Sequence, residues 1–182
     1  MPTIDLLCDG VVSQTFAVTI ARAYADDTNI AEALLGQVAI STLDDLPAEA
    51  HTVTSAQVFY RGGVNAGKST VSVDVKLLDS SGTMLVEEAN NLSDTDLTTL
   101  SNTGVATTTT AGDFTPAMVN DMRLQMKHAG NVSGTPVLQL EFIFVRVVYA
   151  VAPAVVETYD SSANNIHCTL GNIHVKSGNI LL

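Results

Sequence analysis

Apolar and polar residues alternate with a period of two along most of this chain. Val71, Val73, Val75 and Leu77 alternate with Ser72, Asp74 and Lys76, the pattern of a strand with one buried face. Met122, Leu124 and Met126 alternate in the same way with Arg123, Gln125 and Lys127. The pattern predicts strands over Val53–Arg61, Thr70–Asp79, Gly82–Glu87, Val105–Ala111, Met122–Lys127 and Val137–Tyr149. Val11–Ala23 reads as a hairpin or two short strands, followed by the apolar runs Ile30–Leu35 and Val38–Ile40. Ala31–Leu35 suggests a single helical turn, and Asn90–Thr103 a polar loop. In the strand ending at Tyr149, Leu138, Leu140, Phe142 and Phe144 are expected on one face. Ile143, Val145, Val147 and Tyr149 are expected on the other. The second half of that strand is apolar on both faces, which places it inside a sandwich or an assembly.

One helix signal interrupts the strands. Thr115 followed by Pro116 supplies a hydroxyl N-cap and a proline at the first helical position, where its missing N–H costs nothing. The helix is short, because the two-residue period resumes at Met122. About eight strands and one short helix make an all-β chain, an antiparallel two-sheet sandwich over residues 1–152. Residues 153–182 differ. Asn165-Ile166-His167 recurs as Asn172-Ile173-His174 and then as Asn179-Ile180. Three short units are too few for a solenoid. They read as an extended C-terminal arm that adds strands to its own or another subunit's sheet. Its apolar residues Ile166, Leu170, Ile173, Val175, Ile180 and Leu182 are the candidate assembly interface, and Met1–Asp9 is a candidate second clasp. A last hairpin closing the same sandwich is the alternative.

Charge narrows the partners. Asp and Glu number 19 against 8 Lys and Arg, a net charge of −11. Within Met1–Ala50 eight carboxylates face Arg22 alone. Such a surface repels phosphate, so nucleic acid is not an expected partner. No apolar run reaches the roughly 18 residues of a membrane span, and MPTIDLLCDG lacks the basic start of a secretory signal. Cys8 and Cys168 are expected as two reduced thiols.

Gly62-Gly63-Val64-Asn65-Ala66-Gly67-Lys68-Ser69 matches the phosphate-binding loop G-x-x-x-x-G-K-[ST] letter for letter. That loop works only when a helix follows the lysine and aims its amides at the phosphates. Here the next residues are strand-like, so the stretch is expected to be a hairpin loop. His51, His128, His167 and His174 show no ligand spacing. Asp26-Asp27, Asp44-Asp45 and Asp94 with Asp96 lack the spacing of a calcium loop and read as turn residues. Neither a serine nor a cysteine sits in a nucleophile motif. The chain is therefore expected to be no enzyme, with no catalytic residue, cofactor or metal.

Several short motifs resemble a family of jelly-roll virion proteins of tailed bacterial and archaeal viruses. They run from the acidic turn Asp26-Asp27-Thr28-Asn29-Ile30 and Leu43-Asp44-Asp45-Leu46-Pro47 into the strand Thr52–Arg61. Thr70–Leu78 and Phe114-Thr115-Pro116 follow, with the helix Ala117–Asp121 and the strands Met122–Lys127 and Val137–Tyr149. Family members often carry tryptophan where Phe114 stands, and residues from Pro153 onward lie outside the likeness. The resemblance implies a jelly-roll-like sandwich and a structural role as a decoration or cement protein on a capsid's outer surface. It implies the major capsid protein and copies of the chain itself as partners, with synthesis in the host cytoplasm and a final place in the virion. The alternative it leaves is a tail or fibre module that binds a host receptor or glycan.

Overall fold

A computed structural model describes residues 1–64, 70–93, 101–107, 114–131, 135–153, 156–159 and 167–170; side chains are described over 1–64, 70–85, 114–130 and 135–153. The strands in chain order are β1 (Thr3–Gln14), β2 (Ala31–Ala33), β3 (Val38–Leu43), β4 (Ala50–Val64), β5 (Thr70–Leu78) and β6 (Met84–Ser93). After them come β7 (Ser101–Thr107), helix α1 (Pro116–Asn120), β8 (Arg123–Asn131), β9 (Leu138–Val151), β10 (Val156–Tyr159) and β11 (His167–Leu170).

Pairing is antiparallel and nested. β1 pairs with β9, β3 with β8, β4 with β7 and β5 with β6. The full order is β6-β5-β8-β3-β1-β9-β4-β7, with β2 on the edge of β9. Nesting of first with last, second with next-to-last and so on inward is the strand order of a jelly roll, two Greek keys rolled together. The chain is an all-β antiparallel sandwich, with one short α-helix among the described residues.

The two sheets share β1. Its first half, Thr3 to Leu7, pairs with Val148 to Phe144 of β9; its second half, Cys8 to Gln14, pairs with Leu43 to Ala39 of β3. Asp9 and Val12 are extra residues in that second register, and such bulges bend a strand and let it turn from one sheet into the other. Phe16, Ile20 and Ala23 are buried in the core beside this corner, and the Tyr24 hydroxyl bonds Gly10 O at 3.1 Å and Ser41 Oγ at 2.6 Å. Met1–Asp9 is accordingly the start of an internal strand and not a clasp. Val11–Ala23 is the end of that strand followed by a 3₁₀ turn at Ile20–Ala23, not a hairpin.

Side-chain alternation on β5 and β8 follows the sequence. Val71, Val73, Val75 and Leu77 face the core from β5, and Leu124, Met126 and His128 from β8. Thr115 caps α1 as expected, its hydroxyl accepting from Met118 N at 3.2 Å, and Asn120 Oδ1 accepts from Leu46 N at 2.8 Å. Ala31–Ala33 is a strand on β9 and not a helical turn. β6 and β7 both run into the expected polar loop, reaching Ser93 and starting at Ser101.

β9 departs most from the expectation. Leu138 and Leu140 are buried, and so are Ile143, Val145 and Val147; these five share the inner face. Arg61 pairs with Phe142 but Gly62 pairs with Leu140, so Glu141 is a bulge that moves the inward phase from even to odd positions. Phe142 and Phe144 point outward on the other side of that bulge.

Candidate interaction surface

The residues outward of the Glu141 bulge assemble the surface with the most chemistry. Phe59 of β4 lies directly across from Phe144 of β9; their rings stack at 5.2 Å with planes 7° apart. Phe142, two residues back on the same face, meets Phe144 at 5.3 Å. Arg146, two residues on, lays its guanidinium 4.9 Å from the Phe59 centroid and 5.3 Å from that of Phe144, within cation–π range. It also donates to its cross-strand partner on β1: Nε to Asp5 Oδ1 at 2.6 Å and Nη2 to Asp5 Oδ2 at 2.7 Å. Phe144 is thereby buried, although it faces away from the core.

A second cation lies one bulge away. Arg61 Nε donates to Glu141 Oε2 at 2.8 Å, and its Nη2 donates to Asp26. The Asp26 bond, with Glu141 behind it, holds the Arg61 guanidinium above its ordinary value against partial desolvation; Asp5 does the same for Arg146. The bulge thus both reorients β9 and supplies the carboxylate that meets Arg61. Glu32 and Gln139, opposite one another on β2 and β9, extend the polar margin with a 2.9 Å bond. Leu7, 38% exposed, continues the apolar strip on β1.

The second sheet presents a different outer face. β5 and β8 turn Ser72, Asp74 and Lys76, and Arg123, Gln125 and Lys127, outward with the core residues alternating between them. Asp74 pairs in register with Lys127. Toward β3 and the end of β1 the same face turns apolar, with Val38 and Ile40 half-buried and Val11 and Val12 40% and 44% exposed.

The residues singled out in the sequence scatter. Of the arm's Ile166, Leu170, Ile173, Val175, Ile180 and Leu182, only Leu170 falls among the described residues, paired with Val156. β10 and β11 pair with each other as a separate two-stranded sheet and add a strand to neither sheet of the sandwich. The glycine motif begins as the end of β4, Gly62 to Val64, and β5 starts at Thr70; strand on both sides gives a phosphate no helix N-terminus. Asp26 serves Arg61, and Asp27 caps its own turn by accepting from Asn29 N at 2.7 Å. Asp94 and Asp96 lie outside the described residues.

Cys8 is a free, buried thiol. Burial, then the charges of Asp9 and Asp44, push it up to about 12 against a hydrogen bond to Ser41, the opposite of what a nucleophile needs. His128 is fully buried with Nδ1 on Ala33 O at 3.1 Å; a carbonyl can only accept, so Nδ1 carries the proton. Its Nε2 has no partner among the described residues. Among those residues no three His, Cys, Asp or Glu side chains gather as a metal site requires.

No protein-family model matches the chain, and no curated protein matches it. A solved structure of the MgGH51 α-L-arabinofuranosidase bound to arabinose is similar at 13% identity and a TM-score of 0.36. The likeness covers 79% of this chain, which spans about a quarter, 26%, of that enzyme's length.

The aromatic and ionic face is missed by motif reading because its members are Asp5, Phe59, Phe144 and Arg146, brought together only by strand register. One signal pointed toward it: the run Phe142 to Val148 is apolar at nearly every position.

Proposed function

We propose that this chain is a non-enzymatic structural protein of a virus particle, decorating or cementing the outer surface of a capsid. Its partners in this reading are the major capsid protein and further copies of itself. The observation that carries the reading is a jelly-roll block with two unlike outer faces. The outer face of β5 and β8 is polar, whereas that of β1, β9 and β4 carries Phe59, Phe142 and Phe144 with Arg146 and Arg61, residue types that the centres of protein–protein contacts favour. The sequence resemblance to jelly-roll virion proteins points the same way.

A sugar-binding tail or fibre module is the weaker reading. Glycan platforms offer open aromatic faces, whereas here Arg146 lies over both Phe59 and Phe144.

The test is direct. Particles purified from an infected or induced host culture are analysed by quantitative mass spectrometry and immunogold labelling. The expected result is the chain in stoichiometric amounts, with label on the particle surface at the head. Label on the tail favours the second reading, and recovery only in the soluble fraction of the lysate overturns both.

A further inference from the structure

We infer that the open edge of the first sheet (β1-β9-β4-β7), Thr3–Leu7 of β1, takes residues 172–176 of the same chain as an added strand. The edge follows from the pairing. Thr3–Leu7 meets β9 on one side, and β3 comes in on the other only from Cys8 onward. Tyr149 N donates to Pro2 O, which puts Pro2, Ile4 and Leu6 in the hydrogen-bonded phase of this antiparallel ladder. The backbone groups of Thr3, Asp5 and Leu7 therefore point away from β9. Leu7 O finds Asp44 N at 2.8 Å. The N–H and C=O of Thr3 and Asp5 have no backbone partner there among the described residues, and both residues are exposed. An edge left in this state is a template for one more strand.

Charge selects what fills it. Asp44 and Asp45 lie exposed at the Leu7 end of the edge, with no ion pair among the described residues. Residues 1–160 hold all 19 Asp and Glu against seven of the eight Lys and Arg, a net charge of −12. Residues 161–182 hold one lysine, Lys176, and no Asp or Glu. A second sandwich approaching this edge brings another −12 with it and is repelled. The chain's own residues 161–182 bring a positive charge and no such repulsion.

Reach and phase single out 172–176. Leu170 of β11 pairs with Val156, so the hairpin returns the chain to within five residues of Val151, the end of β9, at most about 17 Å along the backbone. Thr3 lies opposite Val148, at that same end. Residues 171–182 fall outside the described residues. Laid beside β1 from Thr3 onward, 172–176 match the edge position for position. Ile173 and Val175 then share the inward phase of Ile4 and Leu6, and Asn172, His174 and Lys176 the outward phase of Thr3, Asp5 and Leu7. Lys176 arrives beside Leu7, where Asp44 and Asp45 stand. The added strand runs parallel to β1, which the long connection through β10 and β11 permits. This closure of the edge is independent of the virion reading.

Amide hydrogen exchange read by NMR on the full chain tests this. The Thr3 and Asp5 amides should exchange at least about 100-fold more slowly than in an unstructured peptide, at a rate independent of protein concentration. Ile173→Glu combined with Val175→Glu should speed their exchange at least about tenfold, while Ile4 and Leu6, which bond to β9, stay protected. Lys176→Glu should speed it by a smaller factor that shrinks as salt is raised. Nuclear Overhauser contacts from the Ile173 and Val175 methyls to Ile4 and Leu6 in the unaltered chain serve should the double variant fold poorly. Thr3 and Asp5 amides that exchange freely overturn the inference. So does protection that the double variant leaves intact, or protection that rises with concentration, which marks another copy's segment as the occupant.

Discussion

Replacing Arg146 by methionine tests whether the outer face of the first sheet is energetically real. The substitution keeps an unbranched apolar stem and removes the charge. Two contributions are lost. The Asp5 pair is partly exposed, with side chains 41% and 40% accessible, so it ranks with surface pairs of about 0.2–1 kcal/mol. Its two-pronged geometry places it at the upper end of that range. The contact with the Phe59 and Phe144 rings adds about 0.5–1 kcal/mol at such a site. Together Arg146→Met should cost about 1–2 kcal/mol, a fall in Tm of about 3–6 °C for a domain of this size. Urea unfolding followed by far-UV circular dichroism reads the loss. A double-mutant cycle with Asp5→Asn should give a coupling of at least about 0.5 kcal/mol, and a cycle with Phe59→Leu a similar one. If both couplings fall below about 0.3 kcal/mol, the cluster is decoration on the sheet and the reasoning from its geometry fails.

Other consequences follow from single contacts. A Cβ on Gly10 would stand 2.6 Å from Thr42 Oγ1, whose hydroxyl is engaged with Asp9; Gly10→Ala should therefore cost about 1–3 kcal/mol as an overpacked site, and Thr42→Ala in the same chain should recover part of it in urea melts. Thr115→Ala removes the cap of α1 and should cost about 1 kcal/mol, while Thr115→Ser should be nearly silent. Folding raises Cys8 from 9.0 to about 12 and Tyr24 from 10.0 to about 12. The unfolded chain thus loses these protons first, so stability is full below about pH 9 and falls as pH rises toward 12. The urea midpoint should drop over that window, and Cys8→Ala should flatten the first part of the drop. For the same reason a thiol reagent at pH 8 should modify Cys8 only as fast as the domain opens; rapid labelling of the native chain would contradict its burial.

The parts of the fold legible in the sequence are those where one strand meets one sheet without interruption. β5 and β8 keep strict alternation because each has one buried face along its whole length, and α1 is announced by Thr115-Pro116. β1 and β9 are read wrongly for a common reason. Asp9 and Val12 on β1, and Glu141 on β9, are bulge residues, and each inserted residue reverses which parity faces inward. Counting by twos through a bulge puts Leu138 and Leu140 on the wrong side of Phe142. β2 is unreadable for another reason: three residues carry no period, and Ala31–Ala33 is a strand only because the edge of β9 beyond Leu7 is free to accept it. The outer face stayed hidden because its ion pairs join residues 141 and 80 positions apart. No local motif spans such distances.

Nesting also dictates the order in which this chain can be completed on the ribosome. β5 and β6 are neighbours joined by a short turn and can pair as soon as they emerge. The Thr3–Leu7 half of β1, made before the other described strands, has to wait for residues 144–148 of β9. At about 5–20 residues per second that delay is roughly 7–28 s. Through it Leu6 and Leu7 belong to the half of β1 that has no partner, while Cys8–Gln14 can already pair with β3, and the like charges of Asp5 and Asp9 oppose contact between nascent copies. The charge that limits association of the finished protein is thus also its protection while it is being made.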